Sequence, residues 1–165
     1  MPRRTTEFAP GQYYHIYNRG VGRQLIFLEE ENYLYLLRQD DEESAGLLPQ
    51  LTFNSYTKAF NKRYGRIGTL FEGRYRSVWV DKTKYLFHLC RYIHANPVKA
   101  RLVSRLADWP FSNYLEWMEM RNGTLVDYDF IAQNFPERDG YRQFVMEYLG
   151  AFDVLPEGIE PYLLD

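Results

Sequence analysis

Apolar and polar positions alternate from Gln12 to Asn18, in QYYHIYN, and the run closes at Arg19-Gly20, so it predicts a strand followed by a turn. Residues 26–38, IFLEEENYLYLLR, fit either a short helix starting in the acidic part or a strand over YLYLL, because so short an apolar run has no decisive period. The polar stretch DDEESAG, residues 40–46, predicts a loop. Pro49 then opens a helix that carries Phe53, Tyr56, Phe60 and Tyr64 towards a stop at Gly65. The glycine-rich GRIGTLFEG leads into RYRSVWVD, whose β-branched and aromatic residues predict a second strand, with Arg74 and Arg76 on one face and Ser77 and Trp79 on the other. Asp81 reads as the cap of a helix over KTKYLFHLCRYIHAN that Pro97 is expected to end. Beyond it, SRLADWPFSNYLEWMEM predicts a loop and a further helix, and the remainder a helical extension with an irregular tail.

Composition adds that the 165 residues, 45% hydrophobic and 18% aromatic, suffice for one compact core and lie outside the range of disordered chains. The expected organisation is a main domain over residues 1–120 with an acidic C-terminal extension over 121–165. A lone Cys90 excludes an internal disulfide and a cysteine-based zinc site, and the expectation is a soluble protein of the reducing cytoplasm with no membrane span. Charge is strongly segregated: residues 1–50 carry a net −3, residues 51–105 a net +10 and residues 106–165 a net −9. The middle segment interleaves its cations with Tyr56, Phe60, Tyr64, Phe71, Tyr75 and Trp79, the materials that single-stranded nucleic acid requires. The same cations also fit a solvated face, or pairing with the acidic C-terminal third.

The predicted third helix concentrates functional groups. His88, Tyr92 and Asn96 recur every four residues, which places neighbours on one stripe with roughly 6 Å between β-carbons. A tyrosine hydroxyl can attack a phosphodiester when a divalent cation polarises the phosphate, and an amide oxygen such as that of Asn96 is a suitable hard ligand. An ordinary helix accounts for the same residues if Tyr92 packs, Asn96 precedes the helix end and His88 lies at the surface.

Several blocks resemble the single-tyrosine HUH transposases, most closely the REP-associated tyrosine transposases of bacteria. MPRR with GQYYHIYNRGVGRQLIF is similar to that family's first strand and turn, and FNSYTKAFNKRYGRIGTLFEGRYRSVWVD to its helix, linker and strand. RYIHANPVKARLV resembles its tyrosine helix, and DWPFSNY its following short motif. The resemblance, over roughly residues 1–30 and 50–115, implies a ferredoxin-like α+β sandwich and a cytoplasmic, nucleoid-associated protein that cleaves and transfers single-stranded DNA beside a hairpin. It implies Tyr92 as the nucleophile forming a 5′-phosphotyrosine, Asn96 as a ligand to Mg²⁺ or Mn²⁺ with His88 a further candidate, and a homodimer. Asn18, Arg19, Lys62, Arg63, Arg66, Arg74 and Arg76 are the expected DNA contacts.

The pattern breaks at the triplet that names the family. The histidines are His15, His88 and His94, no two of them two residues apart, and a segment of roughly 50 residues between EENY and LLRQDDEES is missing relative to the family. Tyr33-Leu34-Tyr35 stands where the triplet would be, and phenols are poor substitutes for imidazoles as metal ligands. A sheet lacking two inner strands is expected to be reduced, and a partner chain could complete it. The alternative function is a DNA-binding relative without a metal centre.

Overall fold

The computed structural model describes residues 8–37, 48–123 and 126–150 and is an α+β protein. The expected 40–46 loop and the tail beyond Gly150 lie outside the described residues. Its contacts divide into two compact units, one up to Asp81 and one from Lys82.

In the first unit, β1 (Tyr13–Tyr17) and β2 (Arg76–Val80) form an antiparallel ribbon in which Tyr13 faces Val80, His15 faces Val78 and Tyr17 faces Arg76. Both strands were legible as alternating aromatic and β-branched runs, the composition that suits a pleated, half-buried surface. Arg74 lies before β2 and only Arg76 is within it. The pairing continues past the ribbon through a bridge between Gly20 and Phe71, with Val21 N–H donating to the Leu70 carbonyl and Glu72 N–H to that of Arg19. Gly20 is required there by close approach: a β-carbon would stand 2.5 Å from the Gln24 carbonyl oxygen and 2.7 Å from Ile26 Cγ2. Gly20→Ala is therefore expected to cost about 1–3 kcal/mol, read by urea unfolding; a wild-type midpoint would show that the turn yields freely.

Helix α1 (Glu30–Leu37) resolves the ambiguous 26–38 run in favour of the helix, with Glu30 and Glu31 in its first turn, where acidic side chains suit the helix dipole. Tyr33, Leu34 and Tyr35 belong to that helix. Backbone positions two apart then lie about 200° around the axis instead of on one face, so they do not reproduce a strand-borne pair of imidazoles. Helix α2 (Leu48–Arg63) buries Tyr56 and Phe60 against Leu70 and Phe71, and Ile26, Phe27, Phe53 and Tyr64 pack around this core. Tyr56 donates its hydroxyl to the Ile26 carbonyl, satisfying the one polar atom that its burial would otherwise strand.

The second unit is built on α3 (Thr83–Lys99), which packs along α6 (Arg138–Gly150). Between them come a 3-10 turn (Leu106–Asp108), the short α4 (Tyr114–Trp117), and α5 (Tyr128–Asn134), where Asp127 caps the helix by accepting from Phe130 N–H at 2.9 Å. Ala95, Leu106, Tyr114, Trp117, Met118, Tyr141, Val145 and Tyr148 form its core. Helix α3 therefore shares a core with residues beyond position 120, and the contacts of the described residues cluster on either side of Asp81.

Both expected ends of α3 need correction. Its N-cap is Lys82, which makes no side-chain cap bond, and Asp81 precedes the cap. At the other end the helix runs through Pro97 to Lys99. The stop is a Schellman closure: Arg101 adopts φ +59° and donates its N–H to the Val98 carbonyl at 2.9 Å, and Leu102 N–H donates to Pro97 at 2.9 Å. An arginine occupies the position where glycine is usual, which is why sequence punctuation placed the end at the proline.

Candidate nucleic-acid interface

The cations expected to touch DNA all lie in the first unit, and hydrogen bonds gather six residues at one end of the β1–β2 ribbon. Asn18 Nδ2 donates to the Gly73 carbonyl at 3.4 Å, and Gln24 Nε2 to that of Leu70 at 3.4 Å. Arg66 in turn donates to Gln24 Oε1 at 3.1 Å. With Tyr17 opposite Arg76, these contacts bring Asn18, Arg19, Arg23, Arg66, Arg74 and Arg76 to the same end, among which Arg23, Arg74 and Arg76 are exposed. Glu72 is the carboxylate of that segment. Arg23 escaped sequence reasoning; the signal was present as the second arginine of NRGVGR, in a turn where Gly22 and Arg23 both take positive φ, +61° and +58°.

Not every expected contact is available to phosphate. Asn18 accepts from the Arg19 N–H at 2.9 Å as well as donating to Gly73, so it holds the turn. Arg66, besides its bond to Gln24, lies over the Phe60 ring at 5.7 Å. Lys62 and Arg63 are exposed on the last turn of α2, where Arg63 pairs with Glu29. The Arg63 hydrogen bond, and after it that of the Tyr64 hydroxyl, hold the Glu29 carboxyl down to about 2. The interleaved aromatics divide sharply. Tyr56, Phe60, Phe71 and Tyr75 are buried and Tyr64 is half-buried, but Trp79 remains half exposed, with Nε1 donating to Gln12 Oε1 at 2.8 Å.

In the second unit, Tyr92 is half-buried against the core and Asn96 is half-buried on the next turn. His88 stands with its ring centroid 5.3 Å from that of Phe144, and its Nδ1 is buried without a partner among the described residues. Burial, reinforced by Arg91 and Lys84, lowers its pKa to about 4, leaving a neutral imidazole at pH 7. His88 and Asn96 lie two helical turns apart, roughly 12 Å of axial rise. With His88 turned onto Phe144, the two do not make one ligand set for a divalent cation. Among the described residues, no three His, Cys, Asp or Glu side chains converge as metal ligands. His15 belongs to the first unit, buried and stacked on Tyr17 at 5.0 Å, with burial lowering its pKa.

His94 stands outside any triplet in the sequence, yet both of its ring nitrogens are bonded. It is 3% exposed, and its Nε2 and Nδ1 lie 2.7 Å from Asn113 Oδ1 and 2.7 Å from the Tyr141 hydroxyl. Because an amide oxygen only accepts, Nε2 carries the proton and Nδ1 accepts from Tyr141. Burial lowers the His94 pKa to about 4. The bond to Asn113 joins RYIHANP to DWPFSNY, so two blocks of the sequence resemblance meet in space. Arg91, also buried, lies 4.3 Å over the Phe144 ring and 5.1 Å over that of Tyr148, fastening the same helix to α6.

Comparison of the chain with family models, with curated proteins and with solved structures returns no match. Among the described residues, no helix is long and apolar enough to cross a membrane.

Proposed function

We propose that the chain binds single-stranded or hairpin DNA as a shortened relative of the REP-associated tyrosine transposases. The observation that carries this reading is the gathering of Arg19, Arg23, Arg74 and Arg76 at one end of the ribbon. Like charges repel when brought together, and a polyanion relieves that repulsion while releasing its own counterions. In this reading the ribbon is the remnant of a ferredoxin-like sheet, and Tyr92 keeps the family's nucleophile position. His88 and Asn96 do not fit a shared Mg²⁺ or Mn²⁺, so the proposed activity ends at binding.

The test is affinity for a labelled hairpin oligonucleotide across a salt series. Each phosphate neutralised contributes about 0.7 to the slope of log affinity against log salt on a single strand, so Arg74→Ala with Arg76→Ala should flatten the slope by about 1.4. Salt-independent binding, or a slope unmoved by both substitutions, would remove the interface. Tyr92→Phe should leave affinity within about twofold, since it removes one half-buried hydroxyl and no charge. Incubation with Mg²⁺ or Mn²⁺ should give no covalent adduct; one that forms with Tyr92 and not with Tyr92→Phe would make the chain an active strand transferase.

A further inference from the structure

The loop that follows α2 exposes an aliphatic side chain from a well-anchored backbone. Gly65, at φ +61°, ends the helix; Arg66 N–H donates to the Asn61 carbonyl at 2.9 Å, and Asn61 Nδ2 donates to the Gly68 carbonyl at 2.8 Å. Gly68 takes φ +90°, after which Leu70, fully buried, and Phe71 return the chain to the core. A β-carbon at Gly65 or Gly68 would meet nothing within 4 Å, so these glycines answer to backbone conformation and not to space. Arg66 is clamped by Gln24 and Phe60, as described above. Between these anchors stands Ile67, 94% exposed.

We propose that Ile67 is a wedge that inserts against the bases where the duplex stem of a DNA hairpin meets single strand; this rests on the DNA-binding reading above. Three properties point to it. A β-branched side chain is stiff about χ1, so little side-chain freedom is lost on insertion. Covering an isoleucine yields about 2 kcal/mol, the scale needed to unstack one base step. The residues around it choose the partner: Lys62 and Arg66 precede it and Arg74 and Arg76 follow, with Glu72 the one acidic residue between positions 51 and 80, while Arg63 is paired with Glu29. An apolar tip set in that much positive charge fits a polyanion with apolar base faces beneath its phosphates.

The experiment uses the full chain and a hairpin carrying 2-aminopurine at the first stem pair beside a single-stranded tail, with mid-stem 2-aminopurine as control. Wild type should raise junction fluorescence about threefold, Ile67→Ala should reduce the rise to near the unbound level, and Ile67→Val should restore most of it. Hairpin affinity should fall about tenfold in Ile67→Ala, and that for the tail alone by less than about twofold. Equal junction signals from wild type and Ile67→Ala, both bound to the hairpin, would overturn the wedge and leave DNA binding standing. Absence of salt-sensitive binding to either DNA would overturn both. Loss of binding to anionic vesicles in Ile67→Ala, with unchanged behaviour on DNA, would assign the tip to a lipid surface instead.

Discussion

Arg121→Ala should lower stability by about 3–5 kcal/mol, because it leaves a buried carboxylate without its cation. The Glu116 side chain is 9% exposed, and Arg121 grips it through a two-pronged fork, Nε to Oε1 at 2.6 Å and the second guanidinium nitrogen to Oε2 at 2.8 Å. Burial alone would raise the Glu116 carboxyl; the hydrogen bonds from Arg121 outweigh it and hold the group below its usual value. The same guanidinium donates to the Pro110 carbonyl at 2.7 Å and the Ser112 carbonyl at 2.8 Å, so truncation also unties the DWPFSNY segment. Arg121→Lys keeps the charge but not the fork, and should lose about half as much. Urea unfolding decides between outcomes: a cost below about 1 kcal/mol would mean that water solvates Glu116 once Arg121 is gone. Replacing both residues together should cost less than the sum of the single changes, since neither partner is then left charged and unpaired.

Acidification should destabilise the chain between pH 6.5 and 4, before most carboxylates titrate. His94 has a folded pKa of about 4 against an ordinary value of 6.5, so the unfolded chain takes up a proton at pH 5 that the folded chain refuses. Stability that depends on neutral His94 is thus complete above pH 6.5 and is lost as pH falls towards 4, to the extent of about 3 kcal/mol. His88, lowered to about 4, and His15, lowered by burial, act with the same sign. Denaturant midpoints at pH 7 and 4.5 test this. His94→Gln should start less stable, because Asn113 and the Tyr141 hydroxyl lose their shared partner, and should show a smaller loss on acidification. A chain that gained stability towards pH 4.5 would contradict a neutral, buried His94.

How far these features could be read from residues alone depended on the range of the interactions that fix them. The alternation in QYYHIYN and RYRSVWVD, and the apolar spacing of Phe53, Tyr56 and Phe60, are local patterns that tertiary packing reinforces, and both strands and α2 emerged where expected. The end of α3 was missed because a proline in the last turn forfeits one hydrogen bond and does not by itself stop a helix; the stop lies in the backbone of Arg101, whose positive φ no composition rule announces. The helix over Glu30–Leu37 was undecidable locally and is favoured by contacts such as Phe27 stacked on Tyr33 at 4.3 Å. Of the site, the cations were visible as charge, but their convergence depends on Gly20 meeting Phe71 from 51 positions away. Sequence spacing put His88, Tyr92 and Asn96 on one stripe; it could not tell that Phe144, from a distant helix, would take the face of His88.

Because α3 leans on α6, its time of folding is set by synthesis. The ribbon and its core are complete in the nascent chain once Asp81 has emerged. Helix α3 must wait for about 50 further residues beyond Lys99, which at ordinary elongation rates is roughly 3–10 s. Throughout that interval the part of α3 that packs on α6 lacks its mate, with only the Leu106–Met118 segment to cover the helix, and a ribosome stalled before Tyr141 would hold it in that state. A coding change that slows translation between residues 121 and 150 should therefore reduce the yield of folded protein without altering any residue of the mature chain.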